Sequence, residues 1–470
     1  MKKSKLFIEN MIVYGLGQVI AKIIPFIMLP IITRLMPDSY YMGINDMNVL
    51  VVSFGSQIAI MGMYDAMFRM YFDKKDKRYH KEVCSTALGN VLAFSIIIFI
   101  ILLLFRETFS QWIFDDKSLS MLLIISASNI VTDSLKSIIS APTRIMNKRK
   151  VFLIINTILP IISYSISIPM LLMKNYLYAL PIASMLASLS MLLIFWMLNR
   201  KFFNLKYTNG HLLKQLLKIG IPLMPTFLIY WIFSSFDRVM ILKILGAGAA
   251  GIFAVGNKVS MISQLIYQAF AGGWSYFSFS TMKDDDQVIT NTKIFNYLSA
   301  ISFVSYAFMI LLSDFIFKLL FTGDYVKASV VFPYLFLSPL LLMLFQILSN
   351  QFIIIKKSYL VTGSLIVGAV LNIILNYLLI PILNIEGAAI ATVIGYLISL
   401  IIAMVLAQKR RLFIFMRKFN ISFLFLIVLI GLSILKNIIL LNLFSITYIA
   451  LILLLYKNDF VALLKNIRKR

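Results

Sequence analysis

Cysteine is almost missing from this 470-residue chain. The single Cys84 rules out an intramolecular disulfide and leaves the redox compartment unspecified. Histidine is nearly as rare: His80 and His211 stand alone, without cysteine or carboxylate neighbours at ligand spacing. No metal or other cofactor is therefore expected. No phosphate-binding G-x-x-x-x-G-K-[ST] segment occurs, so ATP hydrolysis by this chain is not its energy source. No serine or cysteine nucleophile has a matching base, and no polar stretch is long enough to fold as a catalytic domain. The expectation is a protein that is not an enzyme. Acidic side chains are also scarce, 19 Asp and Glu against 44 Lys and Arg, for a net charge of +25.

What the chain has is hydrocarbon. It is 61% hydrophobic with mean hydropathy +0.92, which excludes a soluble globule. Fourteen apolar runs each approach the ~20 residues that cross a bilayer as a helix. They fall near 10–33, 43–66, 84–105, 118–142, 151–173, 177–199, 219–242, 250–280, 295–317, 329–353, 358–381, 386–407, 420–436 and 439–456. The expected fold is an all-α polytopic membrane protein. The basic start Met-Lys-Lys-Ser-Lys resembles a signal peptide, but the run behind it is too long and lacks a cleavage site, so it counts as the first span.

The basic residues are scattered between apolar runs instead of forming a stripe, which argues against a nucleic-acid partner. Their distribution is orderly. With the N-terminus inside, alternate connections hold 32 Lys and Arg on the inner side and 8 on the outer, counting Lys436 at the outer end of the run 420–436. That bias follows the positive-inside rule and places both termini in the cytoplasm. Lys74-Lys75-Asp76-Lys77-Arg78, Lys148-Arg149-Lys150 and Lys409-Arg410-Arg411 then read as orientation signals touching anionic lipid. Asp284-Asp285-Asp286 reads as a solvated inner turn.

One stretch, 218–280, organises the rest. It is a hairpin of two spans with Pro222 and Pro225 bending the first. Asp237 and Arg238 lie in the outer third of that span, and a glycine turn leads to Gly251. Lys258 lies roughly 15 Å into the second span, and a charge at that depth is a functional hypothesis by default. The first hairpin matches it. Pro25 and Pro30 sit in its first helix, Lys22 lies roughly 18 Å along it, and Arg34, a short turn and Gly43 follow. Two related halves are expected, as in many transporters. The boundaries are an N-terminal lobe 1–199, a cytoplasmic linker 200–218, a C-terminal lobe 219–407, and two extra helices with a basic tail over 408–470.

Asn257, Gln264 and Gln268 share one helical face, with Lys258 about 100° away. Neither lysine has an acidic residue within one helical turn of sequence, and a cation so placed gains little by joining helices. Lys22 and Lys258 suit a wet central cavity in which they attract a phosphate or pyrophosphate. Arg34, Arg238, Asn257, Gln264 and Gln268 complete the candidate substrate-binding set. Asp133 and Asp46 are candidates for ion coupling, although Lys136, three residues on from Asp133, is placed to pair with it locally. Asp65 and Arg69 are expected to pair locally. Asp237 and Arg238 cannot face each other, so each needs a partner elsewhere. The Gln346/Asn350 and Asn372/Asn376 pairs suit helix-to-helix hydrogen bonding. Gly246-x-Gly248-x-x-Gly251 copies a dinucleotide fingerprint but joins two membrane spans, so that reading fails.

Four segments together resemble the oligosaccharide flippases of bacterial surface polysaccharides, the Wzx or polysaccharide-transporter type. These belong to a superfamily with the multidrug-and-toxin-extrusion transporters. The segments are Leu29-Pro30-Ile-Ile-Thr33-Arg34 with Pro37 and Gly43; Met67-Phe-Arg69-Met-Tyr71-Phe; Ile219-Gly-Ile-Pro222-Leu-Met-Pro225 with Asp237-Arg238 and Gly246; and Asn372-x-x-Leu-Asn376 with Pro381 and Gly387-Ala-Ala-Ile-Ala-Thr392. Asn384 departs from the glycine common after that proline, which bears on a turn's shape. The resemblance implies two six-helix lobes around a cavity, MATE-like, plus two C-terminal helices. It implies alternating access that moves undecaprenyl-pyrophosphate-linked oligosaccharide repeat units to the outer leaflet of the bacterial cytoplasmic membrane. The products would be O-antigen, lipopolysaccharide or capsule, with a polysaccharide polymerase as a further partner. Alternatives are a multidrug or cation antiporter of the same fold, which the cationic cavity fits poorly, and a lipid II flippase. A polytopic glycosyl polymerase is disfavoured by the short outer turns.

Overall fold

The computed structural model describes residues 22–435 and 437–468. The first part of the expected first span, up to residue 21, lies outside them. The described residues are helical, without strands. Residues 22–35 form α1. There follow α2 (Ser39–Ile60), α3 (Met63–Tyr71), α4 (Lys77–Leu104), α5 (Arg106–Phe114), α6 (Ser120–Ile145), α7 (Arg149–Leu172), α8 (Ala179–Asn199) and α9 (Gly210–Gly220). Next come α10 (Met224–Trp231), α11 (Asp237–Leu245), α12 (Ala247–Ser280), α13 (Gln287–Leu320), α14 (Phe332–Ile354), α15 (Tyr359–Leu383), α16 (Ile385–Lys409), α17 (Arg417–Ile434) and α18 (Ile438–Arg468). Among the described residues, eleven helices are long and apolar enough to cross a membrane. Two bent pairs, α2 with α3 and α9 with α10–α11, raise that to thirteen.

The chain forms two compact units that divide inside α12, between Ala254 and Val255. In the first, α6 is central and packs on α2, α4 and α8, while α3 and α9 close one end against α4. In the second, α14 is the core helix, with 89% of its apolar window buried, and packs on α13 and α16. Side chains facing away from these cores are themselves apolar, such as Ile97, Ile100 and Leu104 on α4 and Ile439, Leu443 and Leu454 on α18. Lipid replaces water as their solvent.

Local chemistry sets the ends. Asp38 caps α2 by accepting from the Tyr40 amide at 2.8 Å. Asp76 caps α4 through the Arg78 and Tyr79 amides, and Asn209 caps α9 through those of His211 and Leu212. The expected second span is not one rod. It breaks at Met61 and Gly62, both in the left-handed region, and α3 leaves α2 at 42°. Asn384, between α15 and α16, has φ +56°. Its ψ of −141° takes it outside the left-handed helical region that asparagine favours and into backbone space that glycine enters far more easily, so asparagine holds this turn under strain.

Candidate functional site

In the first unit α2 runs antiparallel to the chain from Gly220 to Leu245. Contacts fall in register: Asp46 meets Arg238, Phe54 meets Trp231, and Gly62 meets Gly220. Glycine contacts close this seam at both ends, and an ion pair and an aromatic pair lie between them.

At the end nearest Ser39, backbone meets backbone. A Cβ on Gly43 would sit 1.9 Å from the Ala247 carbonyl oxygen, and a Cβ on Gly251 would sit 2.0 Å from that of Ser39. Each glycine therefore faces the carbonyl four residues before the other, a reciprocal contact like a two-fold interface. The two turns matched by the sequence repeat pack on each other. Only hydrogen at both positions permits this approach.

One turn further in, Arg238 donates through Nη1 to both Asp46 carboxylate oxygens, at 3.3 and 3.2 Å. Both side chains are nearly enclosed, 11% and 3% exposed, so the charges neutralise each other where water cannot. A π-helical turn at Ile232–Phe236 makes the geometry possible. It takes the Ser234 carbonyl out of the ordinary ladder, and that oxygen accepts from Arg238 Nη2 at 2.6 Å. The Arg238 amide donates instead to Asp237 Oδ1 at 2.8 Å. Ser235 Oγ accepts from Nη2 at 3.2 Å, while Nε finds no partner among the described residues. Such π turns recur at functional sites.

Midway, the rings of Phe54 and Trp231 lie 4.7 Å apart, beside a small apolar recess that Gln57 and Met224 also line. At the far end a Cβ on Gly62 would meet the Gly220 carbonyl at 2.5 Å, and one on Gly220 would meet that of Met61 at 2.4 Å. Just beyond Gly220, a tight helical turn and Pro222 and Pro225 bend the chain by 41°.

The expected site residues distribute as follows. Lys22 is half-buried on α1, Pro25 and Pro30 lie in the same unbroken helix, and Arg34 is exposed near its end. Asn257, Lys258, Gln264 and Gln268 are half-buried along α12, in the second unit. Asp46 and Arg238, assigned separate roles from sequence, are one ion pair. Asp133 pairs with Lys136 and lies 3.5 Å from Ser188 Oγ. Arg69 turns to Asp73 and not to Asp65, whose nearby cation is Arg144. In the second unit Gln346 accepts from Tyr267 at 2.9 Å. Asn376 donates to Asn372 at 3.3 Å, and Asn372 donates to Thr392 at 3.1 Å, joining α15 to α16. Sequence reasoning passed over Glu386, a buried carboxylate that accepts from the Tyr334 hydroxyl at 3.1 Å, while that hydroxyl also lies 2.6 Å from Ser433 Oγ. Its position at a span end hid it.

A family model described as "Polysaccharide biosynthesis protein" matches residues 31–330, well over half of the chain and both sides of the seam. The chain belongs to that family. Among solved structures it is similar to "Lipid II flippase MurJ, inward closed conformation", with TM-score 0.69 and 17% identity over 97% of this chain and 99% of that one. It is also similar to an "Inward-facing conformation of a multidrug resistance MATE family transporter of the MOP superfamily", with TM-score 0.65 and 14% identity over 83% and 94%. A MOP superfamily transporter from Pyrococcus furiosus matches at TM-score 0.54 and 13% identity, over 86% and 95%. No curated protein matches. The protein is a multi-pass membrane protein with the fold of MOP-superfamily transporters.

Proposed function

We propose that this protein flips undecaprenyl-pyrophosphate-linked oligosaccharide repeat units from the inner to the outer leaflet of the bacterial cytoplasmic membrane, for surface polysaccharide assembly. The observation that carries this reading is the polysaccharide-biosynthesis family match on a transporter fold. The lobes 1–199 and 219–407 alternate access to a central cavity, and both termini are cytoplasmic. Lys22 and Lys258 draw in the pyrophosphate, whose charge is costly to carry through low dielectric. Arg34 assists at the mouth, and Asn257, Gln264 and Gln268 hydrogen-bond sugar hydroxyls. The lipid tail stays in the bilayer, and a polysaccharide polymerase receives the product.

Arg238 takes a different part from the other cations. Its charge is matched by Asp46, so it holds the seam near Ser39 shut, and its separation from Asp46 accompanies opening there. That makes Asp46 the better coupling candidate, since its pair joins two helices that part on opening, whereas Asp133 and Lys136 lie on one helix and stay together. Pro222 and Pro225 supply the bend about which the far side moves, with Pro25 and Pro30 softening α1.

The test is lipid extraction from a deletion strain. Flipping of repeat units predicts loss of surface polysaccharide and accumulation of single lipid-linked repeats shielded from outside reagents. Repeats accessible from outside would point to polymerisation instead. A second reading, lipid II flipping, is favoured by the near full-length similarity to that flippase fold. It predicts accumulation of the cell-wall precursor. Unchanged lipids with new dye or antibiotic sensitivity would favour multidrug export.

A further inference from the structure

The second unit has a cleft between two consecutive helices. α16 and α17 are joined by a short connection, yet they hardly touch, because α17 packs on α13 and α18 instead. The gap holds a cavity of about 420 Å³, within the ~300–1,000 Å³ range of small-ligand sites. Ile401 and Val405 on α16 form one wall, and Phe419, Leu424 and Ile427 on α17 form the other. Asn420 is the one polar side chain lining it.

The apolar stripes of both walls end in cations. On α16, Lys409 follows Val405 by four residues and Ile401 by eight, so it continues that helical face. On α17, Arg417, Asn420, Leu424 and Ile427 recur at steps of three and four, again one face. Arg411, in the connection between the helices, is exposed, as are Lys409 and Arg417. No Asp or Glu occurs from residue 387 to 458 to offset them. The connection is pinned. Phe413 is buried with its ring 4.9 Å from that of Phe295, and the Ile414 amide reaches Thr292 Oγ1 at 3.4 Å. The cations thus sit on a fixed frame at one end of a hydrocarbon-lined cleft.

We propose that this cleft is a binding site for an anionic phospholipid. One acyl chain lies between α16 and α17, and the phosphate lies against Lys409, Arg411 and Arg417. An acyl chain fits eight apolar lining side chains out of nine. A phosphate is the group that clustered arginines recognise best. Asn420 sits one turn inside Arg417, at the depth of glycerol ester oxygens. The site does not depend on which substrate the protein carries, so failure of the flippase reading would leave it standing.

The test uses the purified full chain in mixed phosphatidylglycerol and phosphatidylethanolamine, with retained lipid counted by mass spectrometry after delipidation. The expected result is retained phosphatidylglycerol, enriched over phosphatidylethanolamine. The double variant Lys409→Gln/Arg417→Gln should lose that enrichment by roughly 30-fold, in line with the ~1 kcal/mol each of the two surface cations contributes to anionic-lipid attraction. Val405→Trp, which fills the cleft but keeps the charges, should lose the lipid as well. Lys356→Gln/Lys357→Gln, at another basic connection, should keep it. Equal loss in that control pair, or full retention in Val405→Trp, would overturn the proposal. So would displacement of phosphatidylglycerol by an equimolar polyprenyl phosphate, which would make the cleft a tail site for substrate.

Discussion

The helices that lead into the two matched turns carry the same ingredients and fold differently. α1 keeps Pro25 and Pro30 in one unbroken helix. The chain from Gly210 to Leu245 takes five pieces, with a tight turn at Ile221–Leu223, a π turn at Ile232–Phe236 and a 41° bend. Proline content alone does not explain this. Pro222 and Pro225 are three apart and follow Gly220, so two missing amide donors fall within one turn beside glycine, itself a poor helix former. Pro25 and Pro30 are spread over more than a turn. The second irregularity has another cause: it frees a carbonyl for Arg238. Over its described residues, 22–35, the first helix is regular, whereas the second is shaped to receive an ion pair.

The strongest way to break this contrast is at Asp46 and Arg238. Arg238→Ala leaves a buried carboxylate without its counter-charge and should cost about 3–5 kcal/mol, read as lowered thermal stability in detergent and loss of surface polysaccharide. In a double-mutant cycle, Asp46→Asn together with Arg238→Gln should cost less than the sum of the single changes; strict additivity would mean the pair is not coupled. Next comes the glycine contact. Gly43→Val drives carbons into the Ala247 carbonyl and should cost about 1–3 kcal/mol. Gly248→Ala, whose Cβ would meet only the Ser39 hydroxyl at 3.3 Å, should be tolerated. Equal effects of the two would remove the close-approach argument.

The prolines sharpen the comparison functionally. Pro222→Ala/Pro225→Ala should lower polysaccharide export while membrane abundance is unchanged, and Pro25→Ala/Pro30→Ala should lower it less. The reverse order, measured as surface polysaccharide per transporter, would contradict the assignment of the bend to Pro222 and Pro225. The smallest effect is expected at Asn384. Asn384→Gly should be neutral to stabilising, by up to about 1 kcal/mol, whereas Asn384→Val should cost about 1–2 kcal/mol in thermal unfolding, because a β-branched residue resists a positive φ.

Much of the fold was legible because apolar length is a local property. The run 329–353 became Phe332–Ile354 and the run 358–381 became Tyr359–Leu383. The break at Met61–Gly62 was not legible as a packing feature, since the residue it lies against, Gly220, is distant in sequence. The Asp46–Arg238 pair was half legible. Their adjacent numbering showed that Asp237 and Arg238 could not satisfy each other, but helical periodicity does not encode which neighbouring helix supplies the partner. Arg69 illustrates the same limit, because Asp65 and Asp73 are both four residues away and packing decided between them. The repeat was legible as a pattern, and the reciprocal glycine contact gives that pattern a physical basis.

The most direct test of the central claim uses purified protein in proteoliposomes loaded on one leaflet with fluorescent undecaprenyl-pyrophosphate oligosaccharide. Membrane-impermeant quencher then counts the molecules that cross. The account predicts protein-dependent crossing that Lys22→Ala and Lys258→Ala each reduce severely, with little movement of an uncharged polyprenol. No crossing of the oligosaccharide carrier under an imposed ion gradient or potential, alongside export of a cationic dye, would contradict it.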